Sequence, residues 1–142
     1  MFRACLSGLL AGAVITTAAG CKSNSTTPTV VEPVSTTEIW SSTLAVGASR
    51  FFSFNVPLDG TVSVQLKTLT QDGAATAELV TLGLGAPRQT DCSVSGSIAA
   101  TGSDATLLAG VQTRGVYCIR VWDNAQLSKA AAFSVTITHP KQ

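Results

Sequence analysis

Hydrophobic and polar residues alternate in short runs along most of the chain after residue 38. The clearest run is Gly115–Asp123, which places Tyr117, Ile119 and Val121 on one face and Arg120 on the other. Its residues are mostly β-branched or aromatic, and a turn pair ends it. Because an unpaired arginine is costly to bury, the alternation predicts a strand whose Tyr117 face meets the core and whose Arg120 face meets water.

Other runs with this pattern lie on both sides of the Gly115–Asp123 segment. Further strands are predicted at Ile39–Val46, Arg50–Val56, Thr61–Leu66, Ala75–Leu84 and Phe133–Thr138. The Asp59-Gly60 pair predicts a hairpin between the second and third of these, and the fourth is expected to stop before Pro87. Arg88–Gly110 lacks a regular pattern and is expected to hold long loops and one short strand, whereas Asp123–Ala132 has room for one helical turn. Six to eight short strands without a convincing helix predict an all-β single domain, an antiparallel β-sandwich or jelly roll.

The first twenty residues have a different pattern. One basic residue, Arg3, precedes an apolar run from Ala4 to Ile15, and small residues follow up to Cys21. This is the layout of a secretory signal peptide, and the apolar run is too short for a permanent membrane-spanning helix. We therefore expect an exported protein with a signal peptide at residues 1–20.

The segment Ala18-Ala19-Gly20-Cys21 resembles the lipobox of bacterial lipoproteins, in which the cysteine receives a diacylglyceryl thioether and becomes the new N-terminus. It departs from the pattern at Ala18, where leucine is usual, and an ordinary signal peptidase also accepts such a bond. The resemblance implies a lipid anchor on Cys21 that holds the protein at a membrane. In a cell with two membranes, Lys22 after the cysteine favours the outer membrane or cell surface. The alternative is a secreted or periplasmic protein.

The number of cysteines supports a lipid on Cys21. Cys5 leaves with the leader, so the mature chain holds Cys21, Cys92 and Cys118, an odd number for an oxidising compartment. If Cys21 carries lipid, Cys92 and Cys118 can pair. The predicted bridge would close a loop of about 25 residues and contribute roughly 3 kcal/mol of stability.

Between the cysteine and the first predicted strand the chain is rich in Ser, Thr and Pro. Pro28 and Pro33 interrupt any regular element, and nothing here can bury a core. We interpret the segment as a flexible linker that reaches about 50 Å when fully extended. The predicted organisation is a signal peptide at 1–20, a lipidated cysteine and linker at 21–37, and a β-sandwich domain at 38–142.

Charge excludes some partners. Charged residues make up 12% of the chain, about half the usual share. Loss of Arg3 with the leader leaves eight basic residues against eight acidic ones. A net charge near zero gives no electrostatic basis for binding nucleic acid.

Four segments, Phe51–Pro57, Gly60–Val64, Leu79–Leu84 and Gly115–Val121, follow one another in an order that resembles the bacterial pre-peptidase C-terminal domain. That family is a small β-sandwich found on secreted proteins. The resemblance implies the fold, an extracellular context and an accessory or binding role. It carries over no catalytic residue, and the cysteine pair is not a general feature of the family.

Residues with catalytic potential are few. His139 lies beside Pro140 and is interpreted as the end of a strand rather than a catalytic base, and two cysteines with one histidine are too few for a zinc site. Neither an enzyme nor a cofactor or metal is therefore expected. Acidic residues in predicted loops are explained by turn chemistry as well as by calcium binding. They are Asp59, Asp72, Asp91, Asp104 and Asp123.

Two functional hypotheses follow. The first is a non-enzymatic, lipid-anchored envelope protein whose β-sandwich binds an envelope protein or polysaccharide or acts as an accessory domain. The alternative is a carbohydrate-binding module, secreted or surface-anchored, in which Trp40 and Trp122 form a stacking platform and Asp123 also contacts ligand. Packing at the rim of the core is the other interpretation of both tryptophans.

Overall fold

A computed structural model describes residues 34–102 and 105–142, and Cys21 and Asp104 lie outside these ranges. The described residues form nine β-strands and no helix. They are β1 Ser35–Leu44, β2 Ser49–Val56, β3 Gly60–Gln71, β4 Ala74–Ala75, β5 Leu79–Arg88, β6 Asp91–Thr101, β7 Ala105–Gln112, β8 Gly115–Trp122 and β9 Ala131–Pro140. Accordingly, the described part of the chain holds no helix that could cross a membrane.

The strands form two antiparallel sheets that pack against each other. Sheet A has the order β1-β9-β3, and both β4 and β7 pair with the far edge of β3. Sheet B has the order β2-β8-β5-β6. This arrangement confirms the predicted all-β sandwich.

The core lies between the sheets and is built by alternate residues of each strand. In β8, Ile119 and Val121 are fully buried and Tyr117 is partly buried against the core, which confirms the predicted core face. The predicted inward residues of β3 and β9 are buried as well. They are Val62, Val64 and Leu66 in β3, and Phe133, Val135 and Ile137 in β9. Burying such side chains contributes roughly 1.5 to 3 kcal/mol each, so these strands supply much of the stability.

The predicted hairpin at Asp59-Gly60 is wrong. This turn carries the chain from β2 in sheet B to β3 in sheet A, and the two strands do not pair. The Asp59 carboxylate accepts a hydrogen bond from the Arg114 backbone N–H at 2.6 Å, and a Cβ on Gly60 would lie 2.6 Å from Cγ of Pro140. Asp59 and Gly60 therefore lie in a connection between the two sheets and not in a β-hairpin turn.

The segment Arg88–Gly110 is also more regular than predicted. It contains most of β6 and β7, whose glycine and serine content hides the strand pattern. Pro87 lies inside β5, because β8 pairs with β5 only as far as Gly85 and proline is tolerated where a strand has one neighbour. The helical turn expected within Asp123–Ala132 is absent, and β1 begins at Ser35, three residues before the expected domain boundary.

Candidate binding surface

The outer face of sheet B carries a cluster of aromatic, aliphatic and charged side chains around Arg120. Because β8 alternates, Val116, Arg120 and Trp122 point away from the core, and Phe51 of β2 lies directly opposite Arg120. The exposed fractions are 39% for Phe51, 56% for Val116 and 32% for the Arg120 side chain. We name this surface the Arg120 face and include Asp91, which contacts Arg120 from β6.

A disulfide joins β6 to β8 on the same side of sheet B as the Arg120 face. Cys92 in β6 and Cys118 in β8 are bonded, with their Cα atoms 5.8 Å apart, and both are almost fully buried. This bond confirms the predicted pair. A buried structural disulfide is typical of proteins that fold outside the cytoplasm, so the bridge supports an extracytoplasmic location.

The position of the bridge requires a bend in sheet B. Strand β5 lies between β6 and β8, so residues on the two outer strands of a flat sheet would be about 9 to 10 Å apart. The β5–β6 pairing shifts register between Leu84 and Gly85, and a Cβ on Gly85 would overlap the backbone carbonyl of Ser93. The end of the β5–β6 hairpin therefore folds over β8, where the absence of a side chain at Gly85 permits the close approach.

The Arg120 guanidinium has several weak partners and no strong one. Nη1 lies 3.6 Å from Oδ2 of Asp91, and Nη2 donates to Oγ of Ser49 at 3.3 Å. The Trp122 ring centroid lies 5.5 Å from Cζ, and the buried Nε has no hydrogen-bond partner among the described residues. Since a guanidinium carries five N–H donors in a fixed plane, this group retains the capacity to bind an acceptor from a partner.

Trp122 is held in one orientation. Its Nε1 donates to Oδ1 of Asn124 at 3.0 Å, and Asn124 in turn donates to Oγ1 of Thr81 at 2.9 Å. The ring extends over Gly83, where a Cβ would lie 2.9 Å from its Cζ3. An aromatic ring fixed in this way loses little conformational entropy when a partner contacts it.

Asp123, the residue after Trp122, points the other way. Its buried carboxylate accepts hydrogen bonds from the backbone N–H groups of Gly47 at 2.7 Å, Gln126 at 2.7 Å and Leu127 at 3.1 Å. Burial acts to raise its pKa, but these hydrogen bonds outweigh burial, and the pKa is lowered from its ordinary value. Asp123 thus joins the β8–β9 loop to the β1–β2 turn.

Trp40 lies between the sheets and does not share a surface with Trp122. Its ring stacks on Phe52 at a centroid distance of 5.7 Å and meets the edge of Phe133 at 5.1 Å. It closes the edge of the core between β1 and β2. Of the three candidate ligand-binding residues, only Trp122 lies on the Arg120 face.

His139 is buried near the end of β9. Nε2 lies 3.0 Å from Oε1 of Glu38, and Nδ1 lies 2.9 Å from the carbonyl oxygen of Pro140. Its described hydrogen-bond partners include no hydroxyl or thiol that it could activate as a nucleophile. Its contacts tie β9 to β1.

Other acidic groups on the described residues contact backbone or side-chain donors. Ser128 donates to Glu78 through both its hydroxyl and its backbone N–H, and these bonds, with help from Gln71 and Lys129, lower the Glu78 pKa. Asp72 forms an ion pair with Lys129. Within residues 34–102 and 105–142, no three His, Cys, Asp or Glu side chains form a group suited to a metal ion.

Sequence alternation alone places Arg120 and Trp122 on one face, but only Trp122 was among the ligand-binding residues predicted from the sequence. Phe51 is the outward neighbour of the inward Phe52, a signal present in the predicted strand. Asp91 had no such signal, because it reaches Arg120 only through the bend of the β5–β6 hairpin.

No family model matches the chain, and no curated protein matches it. Solved structures of similar fold include the Yersinia pseudotuberculosis-derived mitogen, which is 13% identical over 77% of this chain and 90% of that chain, with a TM-score of 0.54. A periplasmic lysozyme inhibitor of g-type lysozyme from Aeromonas hydrophila is 11% identical over 71% of this chain and 83% of that chain, with a TM-score of 0.48. At these identities the likeness to the mitogen shows the fold alone, a two-sheet β-sandwich.

Proposed function

We propose that this chain is a non-enzymatic, lipid-anchored protein of the cell envelope whose β-sandwich binds a partner protein through the Arg120 face. The observation that carries the proposal is the combination of a fixed Trp122, a partly exposed Phe51 and an Arg120 guanidinium without a strong partner on one face. Tryptophan and arginine are the residue types that dominate binding energy at protein interfaces.

The composition of the Arg120 face favours a protein partner. Phe51 and Val116 supply exposed apolar area, and Asp91 and Arg120 supply one charge of each sign. A surface with apolar residues next to balanced charges matches the core and rim of a protein interface. It has no excess positive charge to attract nucleic acid.

Site-specific photo-crosslinking in cells tests the partner. A crosslinking amino acid at Phe51 or Val116 should capture a discrete envelope protein, and the same group at Ser134, on the outer face of sheet A, should not. Trp122→Ala should abolish the Phe51 crosslink without lowering the amount of protein. Equal capture from Phe51 and Ser134, or none from either, would refute the proposed surface.

The anchor is tested separately. Mass spectrometry of the mature N-terminal peptide should show a diacylglyceryl group on Cys21, and Cys21→Ser should move the protein from the membrane fraction to the soluble fraction. An unmodified Cys21 in the mature protein would end the lipid-anchor proposal while leaving the Arg120 face in place. Durable anchoring requires two or more acyl chains, because one chain binds only marginally.

A carbohydrate partner is the second candidate, because Trp122 and Phe51 are aromatic residues on the same outer face. Against it, Arg120 already stacks on the Trp122 ring, so a sugar would have to displace the guanidinium. Glycan-array binding that is lost in Trp122→Ala would support the carbohydrate. The absence of binding to any polysaccharide would remove it.

A further inference from the structure

Strand β1 forms one edge of sheet A, and its outer side is open among the described residues. It pairs with β9 along all ten residues without a register shift, and neither sheet supplies a second neighbour. Natural edge strands are usually protected by lysine, proline, a bulge or short length. Strand β1 has none of these; its one charged residue, Glu38, contacts His139 of the neighbouring strand β9, and Ile39 at the middle of β1 is 74% exposed.

The backbone groups that face this open side can be identified. Lys141 donates its N–H to the Val34 carbonyl at 2.7 Å, so Val34 and Lys141 are a hydrogen-bonded pair in the β1–β9 ladder. Such pairs recur at every second residue of an antiparallel ladder. The even-numbered residues of β1 therefore direct their N–H and C=O groups to β9, and the odd-numbered residues from Ser35 to Thr43 direct theirs outward.

The odd-numbered residues are also the ones whose side chains lie on the outer face of sheet A. They are exposed and uncharged: Ser35, Thr37, Ile39, Ser41 and Thr43. The only charged residue of the strand, Glu38, points inward to His139. A second β1 strand brought antiparallel to this edge would therefore meet no charge on the outer face of sheet A.

We propose that this edge pairs with β1 of a second copy of the chain, antiparallel and centred on Ile39. In this register Ile39 lies opposite Ile39 of the second copy, Thr37 opposite Ser41, and Ser35 opposite Thr43. A two-fold axis perpendicular to the sheet keeps both outer faces on the same side and makes each of these an exchanging pair, giving about ten backbone hydrogen bonds. The two exposed isoleucines bury each other at the centre.

Cysteine crosslinking tests the register in the full chain with Cys5→Ser and Cys21→Ser, which leaves no other unpaired thiol. Ile39→Cys should form a disulfide-linked dimer in air, because the Cα atoms of a hydrogen-bonded antiparallel pair, about 5.5 Å apart, are within disulfide reach. Thr37→Cys and Ser41→Cys should crosslink poorly alone and efficiently when mixed. Val116→Cys, an exposed site on sheet B, is the matched control and should form no disulfide-linked dimer.

Charge substitution tests the dimer without a crosslink. The unsubstituted chain should sediment as a dimer, and Ile39→Lys should convert it to a monomer with an unchanged circular dichroism spectrum. Thr136→Lys, beside Ile39 on the same face but one strand inward, should leave the dimer intact.

Three results would overturn the proposal. The first is a monomer at all concentrations up to about 0.5 mM, a range that covers specific association. The second is equal crosslinking of Thr37→Cys alone and in the mixture, which would exclude the register. The third is a dimer that forms only after deletion of residues 22–33, which would show that the same chain's own N-terminal segment occupies the edge.

Discussion

Removal of the Cys92–Cys118 bridge should lower stability by an amount that the structure fixes in advance. The suitable change is the double substitution Cys92→Ala and Cys118→Ala, because both positions are almost fully buried and a serine would bury a hydroxyl without a partner. The bond joins residues 26 apart. In the chain-entropy description, losing a crosslink that closes a loop of that size lowers the free energy of unfolding by about 3.5 kcal/mol at 25 °C.

That loss is large for a domain of this size. Domains are stable by about 5 to 15 kcal/mol in total, so the bridge accounts for a substantial part of the free energy of unfolding. A change of about 3.5 kcal/mol corresponds to a melting temperature lower by roughly 10 to 20 °C. Because the bridge also holds the β5–β6 hairpin over β8, its loss should release Asp91 from Arg120.

Urea unfolding at pH 7, followed by circular dichroism, measures the effect. The midpoint should fall and the m-value should rise, since the unfolded chain is less compact without the crosslink. Asp91→Ala is the matched control: it removes the exposed ion pair with Arg120 and the hydrogen bond that the Cys92 N–H donates to Asp91, but it keeps the disulfide, and it should cost no more than about 2 kcal/mol. A double alanine variant as stable as the parent, or one no less stable than Asp91→Ala, would refute the role given to the bridge.

Three further predictions concern local structure. Asp123→Ala should lower the free energy of unfolding by about 2 to 4 kcal/mol, measured in urea, because the buried N–H of Leu127 and the partly buried N–H groups of Gly47 and Gln126 lose their acceptor. A loss below about 1 kcal/mol would contradict this. The pKa of Asp123 is lowered in the folded state, so the stability that its carboxylate contributes is fully present above the ordinary pKa near 3.8 and is lost as the pH falls through the folded pKa. Asp123→Asn lacks this titration, so its free energy of unfolding should depend less on pH in that range than that of the parent. Gly85→Ala should hinder disulfide formation by blocking the bend, seen as thiol labelling of Cys92 under denaturing, non-reducing conditions, whereas Gly96→Ala in the same hairpin, with nothing within 4 Å of its Cβ, should not.

The sequence predicted the core strands because their periodicity is strong. In β8, the charge on Arg120 identifies the side that meets water, and Ile119 and Val121 on the opposite side are buried as expected. The cysteine count predicted the bridge for a different reason: only one pair was left once Cys21 was assigned to lipid. The prediction of lipid on Cys21 lies outside the described residues and stays a prediction.

Other features depend on contacts that local sequence does not encode. The Asp59-Gly60 turn has the residues of a hairpin, but β2 and β3 find their partners, β8 and β9, far along the chain. Trp40 could equally have been an exposed platform or a core residue, and its contact with Phe52 of the opposite sheet decides between them. The bend at Gly85 that brings Asp91 to Arg120 arises from the approach of two backbones, which has no periodic signal.

The antiparallel pairing of β1 with β9 has a consequence for the order of folding. Ser35 lies opposite Pro140, so the first strand of the sandwich cannot pair in sheet A until the last strand is available. Folds with such high contact order fold slowly, because loop-closure entropy is lost before the distant contacts form. A chain that emerges from its N-terminal end, from the ribosome or through a translocation pore, therefore stays open to chaperones and proteases until nearly all of this domain has come through.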